Sequence, residues 1–172
     1  MGSTRGIAKR TMWAVAAGIA VCMLIAGGPS ASAATTAPAK KKDDRGRYLV
    51  IIAGCNDCHT AGYADAAGKV PEKDWLAGDR IGWRGPWGTT YAPNLRLYMQ
   101  QLSEEQWLTI ARAAEFRPPM PWYILREMPD QDLKAIYRFI RSLGPAGQQA
   151  PAFLPPTQEP PQPYILFPSG PQ

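Results

Sequence analysis

The chain holds one histidine, and it stands at the end of Cys55-Asn56-Asp57-Cys58-His59. This C-x-x-C-H run is the attachment signature of c-type haem: both thiols add to the porphyrin vinyls as thioethers, and the adjacent imidazole takes one axial face of the iron. Two intervening residues let cysteines on one tight helical turn span two vinyl positions. Placing His directly after the second cysteine aims its ring beneath the macrocycle, so His59 is the expected proximal ligand. Because no second imidazole exists in the chain, bis-His ligation within one chain is excluded.

Other uses of the motif meet specific obstacles. A structural zinc site takes about four Cys or His ligands, and outside the amino-terminal segment the chain offers only Cys55, Cys58 and His59. A thioredoxin-like pair wants its C-x-x-C in a βαβ unit, and no alternating β-branched run lies nearby. Covalent haem c is the expected cofactor, and zinc is not expected.

The first 33 residues read as an export signal. Arg5, Lys9 and Arg10 form a basic start, Met12 to Ala26 is apolar, and Pro29-Ser30-Ala31-Ser32-Ala33 ends in small residues. Cleavage is expected after Ala33, and the protein is expected in the periplasm, where haem attachment to such motifs takes place. The alternative is a retained anchor, since Met12 to Gly28 is near the lower length limit for a bilayer span. Lipid attachment at Cys22 is disfavoured by Val21 before it. Residues 34–43 read as a flexible, solvated lead-in.

The whole chain carries +5. Without the leader it has 16 basic against 14 acidic side chains, a net +2 that two haem propionates would roughly cancel. Nothing in that balance points to nucleic acid, and a membrane enters only if the leader is kept. At the other end, residues 145–172 contain nine prolines, too many for a helix or a central strand, so an extended tail is expected. Phe153-Leu154 and Tyr164-Ile165-Leu166-Phe167 are apolar anchors that a free linker lacks. The tail is expected to wrap its own domain, with docking on a partner as the alternative.

Residues 44–144 form one small domain whose expected fold is all-α, with about three main helices around the haem. Tyr48, Ile51, Ile52 and Cys55 share one face of a helix running into the haem motif. Ser103-Glu104-Glu105-Gln106 is a capping-box pattern before Trp107, Ile110, Ala111 and Ala114. Asp130 is expected to cap a third helix carrying Leu133, Ile136, Tyr137, Ile140 and Leu143, stopped by Gly144-Pro145. The irregular stretch between them is rich in Gly, Pro and Trp. There Trp75, Trp83, Trp87, Arg80, Arg84 and Tyr91 are expected to line the pocket, offering apolar bodies with polar tips.

A soft thioether is the expected partner of His in electron-transfer haem proteins, because it favours ferrous iron. Outside the leader the candidates are Met99, Met120 and Met128. Met120 is favoured: in Arg117-Pro118-Pro119-Met120-Pro121-Trp122 three prolines prevent a helix and can hold the sulfur rigidly. Met128, which precedes Pro129, is expected to pack against the ring or the core, and Met99 lies just before the second helix.

The haem motif, Gly85-Pro86-Trp87-Gly88-Thr89-Thr90-Tyr91-Ala92-Pro93-Asn94-Leu95, Pro119-Met120-Pro121-Trp122 and Asp132-Leu133-Lys134-Ala135-Ile136-Tyr137 together resemble a monohaem class I cytochrome c. The nearest likeness is to cytochrome domains that serve periplasmic dehydrogenases. The resemblance implies Met120 as distal ligand, haem contacts from the Trp83 to Asn94 stretch, and Pro71 as the residue whose carbonyl accepts the His59 Nδ1 proton. The implied function is one-electron transfer without substrate chemistry, as a carrier or as the cytochrome subunit of a dehydrogenase or oxidase. Its partner would be a redox protein. The rival reading is a haem protein that binds nitric oxide or carbon monoxide when Met120 is displaced. A peroxidase-like enzyme ranks last, since no second His exists to serve on the distal side.

Overall fold

The computed structural model describes residues 44–168; the export signal and lead-in expected over 1–33 and 34–43 lie outside them. Helices α1 (Asp44–Ile52) and α2 (Cys55–His59) come first, and a short 3-10 turn (Glu72–Asp74) follows. Strands β1 (Gly82–Gly85) and β2 (Gly88–Tyr91) precede α3 (Leu95–Gln100), α4 (Glu104–Ala113), α5 (Tyr123–Glu127) and α6 (Asp130–Ser142). The tail contributes β3 (Tyr164–Leu166). None of the described helices is long and apolar enough to cross a membrane.

The all-α expectation is overturned by a three-stranded mixed sheet of order β2-β1-β3 beside the six described helices. β1 and β2 form an antiparallel hairpin closed by Pro86-Trp87, and β3 joins β1 in parallel with Trp83 opposite Ile165. Strands of four residues are too short to show a period, and Gly82, Gly85 and Gly88 dilute what signal there is. The hairpin gains its third strand from the far end of the chain, a pairing that no local pattern announces.

The helical frame follows its local chemistry more closely. The Ser103 hydroxyl accepts from Gln106 N–H (3.2 Å) and the Gln106 side chain accepts from Ser103 N–H (2.8 Å), closing the capping box on α4. Such a cap contributes about 1 kcal/mol. Trp107 is then buried, and its indole N–H donates to the Leu133 carbonyl of α6. Leu133, Ile136, Phe139 and Ile140 form the buried stripe of α6. Gly144 ends that helix in the left-handed region, at φ 71°. Asp130 is not its side-chain cap: Pro129 takes the N-cap position, and the Asp130 carboxylate instead accepts from Arg112 at 2.6 Å.

α1 packs across α6, but through the opposite face from the one expected. Leu49 and Val50 are buried with Gly46, while Tyr48 and Ile52 are 51% and 58% exposed and Ile51 is also exposed. Residues 48–52 are apolar on every side, so periodicity does not choose a face. The glycine chooses it: a methyl at Gly46 would lie 2.1 Å from the Ala135 carbonyl oxygen, so only the glycine face lets the two backbones meet.

Candidate functional site

α2 is a single turn, and its surroundings lock it. Gly54 turns the chain between α1 and α2 in the left-handed region, at φ 68°. Within and after the motif, the Thr60 hydroxyl donates to Asn56 Oδ1 (2.7 Å) and accepts from Leu76 N–H (2.8 Å). The His59 carbonyl accepts from Gly78 N–H (2.8 Å), tying the turn to the segment ahead of the hairpin. Gly78 allows that approach, since a methyl there would meet Asn94 N at 2.9 Å.

Cys55, Cys58 and His59 all line one cavity of about 370 Å³. Cys55 and Cys58 are not joined in a disulfide, so both sulfurs are available for attachment. Burial pushes the Cys55 thiol up to about 12, and burial followed by the Asp57 and Asp79 charges raises that of Cys58. His59 is buried, and its Nδ1 lies 2.8 Å from the Pro93 carbonyl oxygen. A carbonyl only accepts, so Nδ1 carries the proton and Nε2 keeps its lone pair. Burial also holds the imidazole below its usual range, against the opposing effect of the Pro93 bond. The result is a neutral, oriented imidazole, the state a metal ligand needs.

The acceptor is Pro93, which corrects the role expected of Pro71. The Pro71 carbonyl accepts from Asp74 N–H (2.9 Å) and starts the 3-10 turn. The chain delivers Pro93 instead because Asp79 N–H donates to Ala92 O (3.2 Å) just after Gly78 has bonded to His59. Pro93 stands in the Ala92-Pro93-Asn94 run of the chain, but only the pairing of two loops brings its carbonyl to the ring.

Met120 lines the same cavity, as do Trp83 and Tyr91. Met99 and Met128 line it too, along with Tyr98, Trp107, Phe116 and, from the tail, Phe153. The remaining expected pocket residues do other work. Trp75 is buried in the core, with its indole N–H on the Val70 carbonyl, and Arg80 is exposed. Trp87 packs on Phe167, with ring centroids 5.4 Å apart, away from the cavity wall. Arg84 donates to the Gln158 carbonyl (2.8 Å) and pairs with Glu159 (3.0 Å), so its charge is spent on the tail. Asn94 caps α3 by accepting from Leu97 N–H, and its amide donates to Ala146 and Gln148 carbonyls. Arg84, Trp87 and Asn94, expected as haem contacts, are instead engaged by the returning tail.

Arg112 and Arg96 carry structural roles that no sequence signal marks. Arg112 donates to the Arg126 and Met128 carbonyls at the end of α5, and Arg96 to Lys73, Leu143 and Gly144 carbonyls. Each collects carbonyls from segments distant in sequence, near helix ends whose last carbonyls lack intrahelical partners.

The cavity fits haem on chemistry as well as by the motif. Its wall is largely apolar, yet Trp83 Nε1 and Thr90 Oγ1 are buried there with no hydrogen-bond partner. Unpartnered buried donors are costly, and two on one wall suit the propionates of a porphyrin. A C-x-x-C-H turn, an oriented neutral imidazole and an apolar pocket with orphaned donors define a covalent-haem protein. Residues 44–144 match the family model for cytochrome c, and the chain belongs to that family. Membership implies covalently bound haem c, with Cys55, Cys58 and His59 as the attachment motif, and haem-based electron transfer as the function. No curated protein and no solved structure matches the chain.

Proposed function

We propose that the protein is an exported one-electron carrier whose haem iron is held by His59 and Met120, and that it exchanges electrons with a redox protein. The observation that carries this reading is convergence: the locked His59 turn and the proline-flanked Met120 loop line one apolar cavity. Haem supplies the Fe(III)/Fe(II) couple. The chain's part is to orient the imidazole through the Pro93 carbonyl, keep water from the ring and hold a thioether on the other side.

Three methionines line the cavity, and the backbone favours Met120. Met99 is built into α3 and is fully buried in the core cluster. Met128 forms the C-cap of α5, with its carbonyl fixed by Arg112. Met120 alone stands in a loop bounded by prolines, with its N–H on the Arg117 carbonyl. Export to the periplasm is supported by the basic start, apolar run and small-residue end of residues 1–33. A role as carrier or dehydrogenase subunit is supported by the resemblance of the domain to such cytochromes.

The test is optical spectroscopy of the oxidised and reduced protein beside Met120→Ala. The reading expects low-spin c-type haem with an Fe–S(Met) charge-transfer band, lost in the variant together with exclusion of carbon monoxide. A wild type that is already high-spin and open to ligands overturns it.

A further inference from the structure

The tail beyond residue 144 lies outside the family match, yet it is held at four places. Asn94 takes the Ala146 and Gln148 carbonyls, and Leu154 exchanges two backbone hydrogen bonds with Thr89 (2.8 and 3.0 Å). Arg84 holds Gln158 and Glu159, and β3 pairs with β1 while Phe167 packs on Trp83 and Trp87. The hairpin is shaped for this strap. Gly88 has φ 106°, and a methyl there would meet Leu154 O at 2.4 Å and the Phe153 ring at 2.9 Å.

One tail side chain reaches the cofactor cavity. Phe153 joins its wall, and the Arg117 guanidinium stacks over the Phe153 ring, 4.1 Å from the centroid. Arg117 opens the methionine loop: its carbonyl accepts from Met120 N–H (3.2 Å), and Arg117, Pro119 and Met120 all line the cavity. A continuous line of contacts therefore runs from the Thr89–Leu154 bridge through Phe153 and Arg117 to Met120.

We infer that Phe153 is a positioning residue for the methionine loop, so that the docked tail holds Met120 in the cavity and release of the tail opens that side of the haem to small ligands. The inference rests on the proposed reading of Met120 as iron ligand. Phe153 acts through Arg117, a guanidinium over an aromatic face being attracted by the ring quadrupole. If the fraction of molecules with the loop displaced rises about tenfold, apparent affinity for an exogenous ligand rises by the same factor.

The experiment compares wild type, Met120→Ala, Phe153→Ala, Phe153→Tyr and Arg117→Gln as full-length holoproteins. It reads the Fe–S(Met) band, carbon monoxide affinity, thioether-bound haem yield and melting temperature. The expected result is a weakened band and about tenfold higher carbon monoxide affinity in Phe153→Ala, at unchanged haem yield. Arg117→Gln should show the same direction, and Phe153→Tyr should restore wild-type behaviour. A purely structural role would lower the melting temperature of Phe153→Ala with band and ligand exclusion intact, and that result overturns the inference. Should Phe153→Ala not accumulate, Arg117→Gln decides, because Arg117 is exposed and outside the core cluster: wild-type band and affinity there overturn the inference. Failure of the underlying ligand reading is distinct, since Met120→Ala would then keep the wild-type band.

Discussion

Gly46 of α1 faces the Ala135 carbonyl of α6 so closely that a methyl at Gly46 would stand 2.1 Å from that oxygen and 2.6 Å from Phe139 Cβ. The two helices that bracket the domain in sequence thus meet backbone to backbone. Helix propensity alone favours Ala over Gly by about 1 kcal/mol. The contact reverses the sign: Gly46→Ala should destabilise by about 1–3 kcal/mol through overpacking. Denaturant unfolding of the holoprotein checks it, and a stabilised variant would contradict this packing.

The same helix pair is joined by Arg45 and Asp132, with Nε–Oδ1 at 3.0 Å and Nη2–Oδ2 at 2.7 Å. The guanidinium holds the Asp132 carboxyl below its ordinary range. A carboxylate depressed in the folded state contributes stability that is present above its unfolded value, about 3.9, and lost as pH falls through the folded value. Asp132→Asn should therefore melt below wild type at pH 7, and the gap should close as pH is lowered past about 4. Melting curves between pH 3 and 7 read this directly.

Cys58→Ala removes one of the two thiols lining the cavity. Haem in that variant should be held by a single thioether, giving a red-shifted pyridine haemochrome and a lower yield of covalent holoprotein. An unshifted haemochrome at full yield would contradict attachment through this motif.

Met120 and Met128 both line the cavity and differ in how their backbones are held. Replacing the iron's thioether should lower the reduction potential, because the soft ligand favours Fe(II). Met120→Ala is expected to do so and Met128→Ala to leave the potential close to wild type. Met128→Ala should instead destabilise by less than the about 2–5 kcal/mol of a fully buried methionine, because Met128 is half-buried. Potentiometric titration of the two variants separates the roles.

Much of the site was legible because its chemistry is local. Cys55, Cys58 and His59 sit within one short helix, and the Ser103–Gln106 box spans four residues, so both could be read from spacing. The α6 stripe was legible for the same reason: a long helix repeats its burial rule over several turns. The face of α1 was not, because residues 48–52 are apolar all round and only Gly46 meeting Ala135 selects a side. The sheet was missed because strands of three or four residues carry no period, and one of the three comes from the tail.

The sequence by itself determined the covalent haem site, its single imidazole, the three longer helices and an extended, proline-rich tail, since each depends on residues within a few positions of one another. Only the tertiary structure decided that Pro93 rather than Pro71 orients His59, that Arg84, Trp87 and Asn94 serve the tail rather than the cofactor, and that Phe153 joins the cavity wall. Those outcomes turn on which carbonyls and rings arrive from segments tens of residues away. Backbone carbonyls are alike at every position, so their choice of partner belongs to the packing of the whole chain.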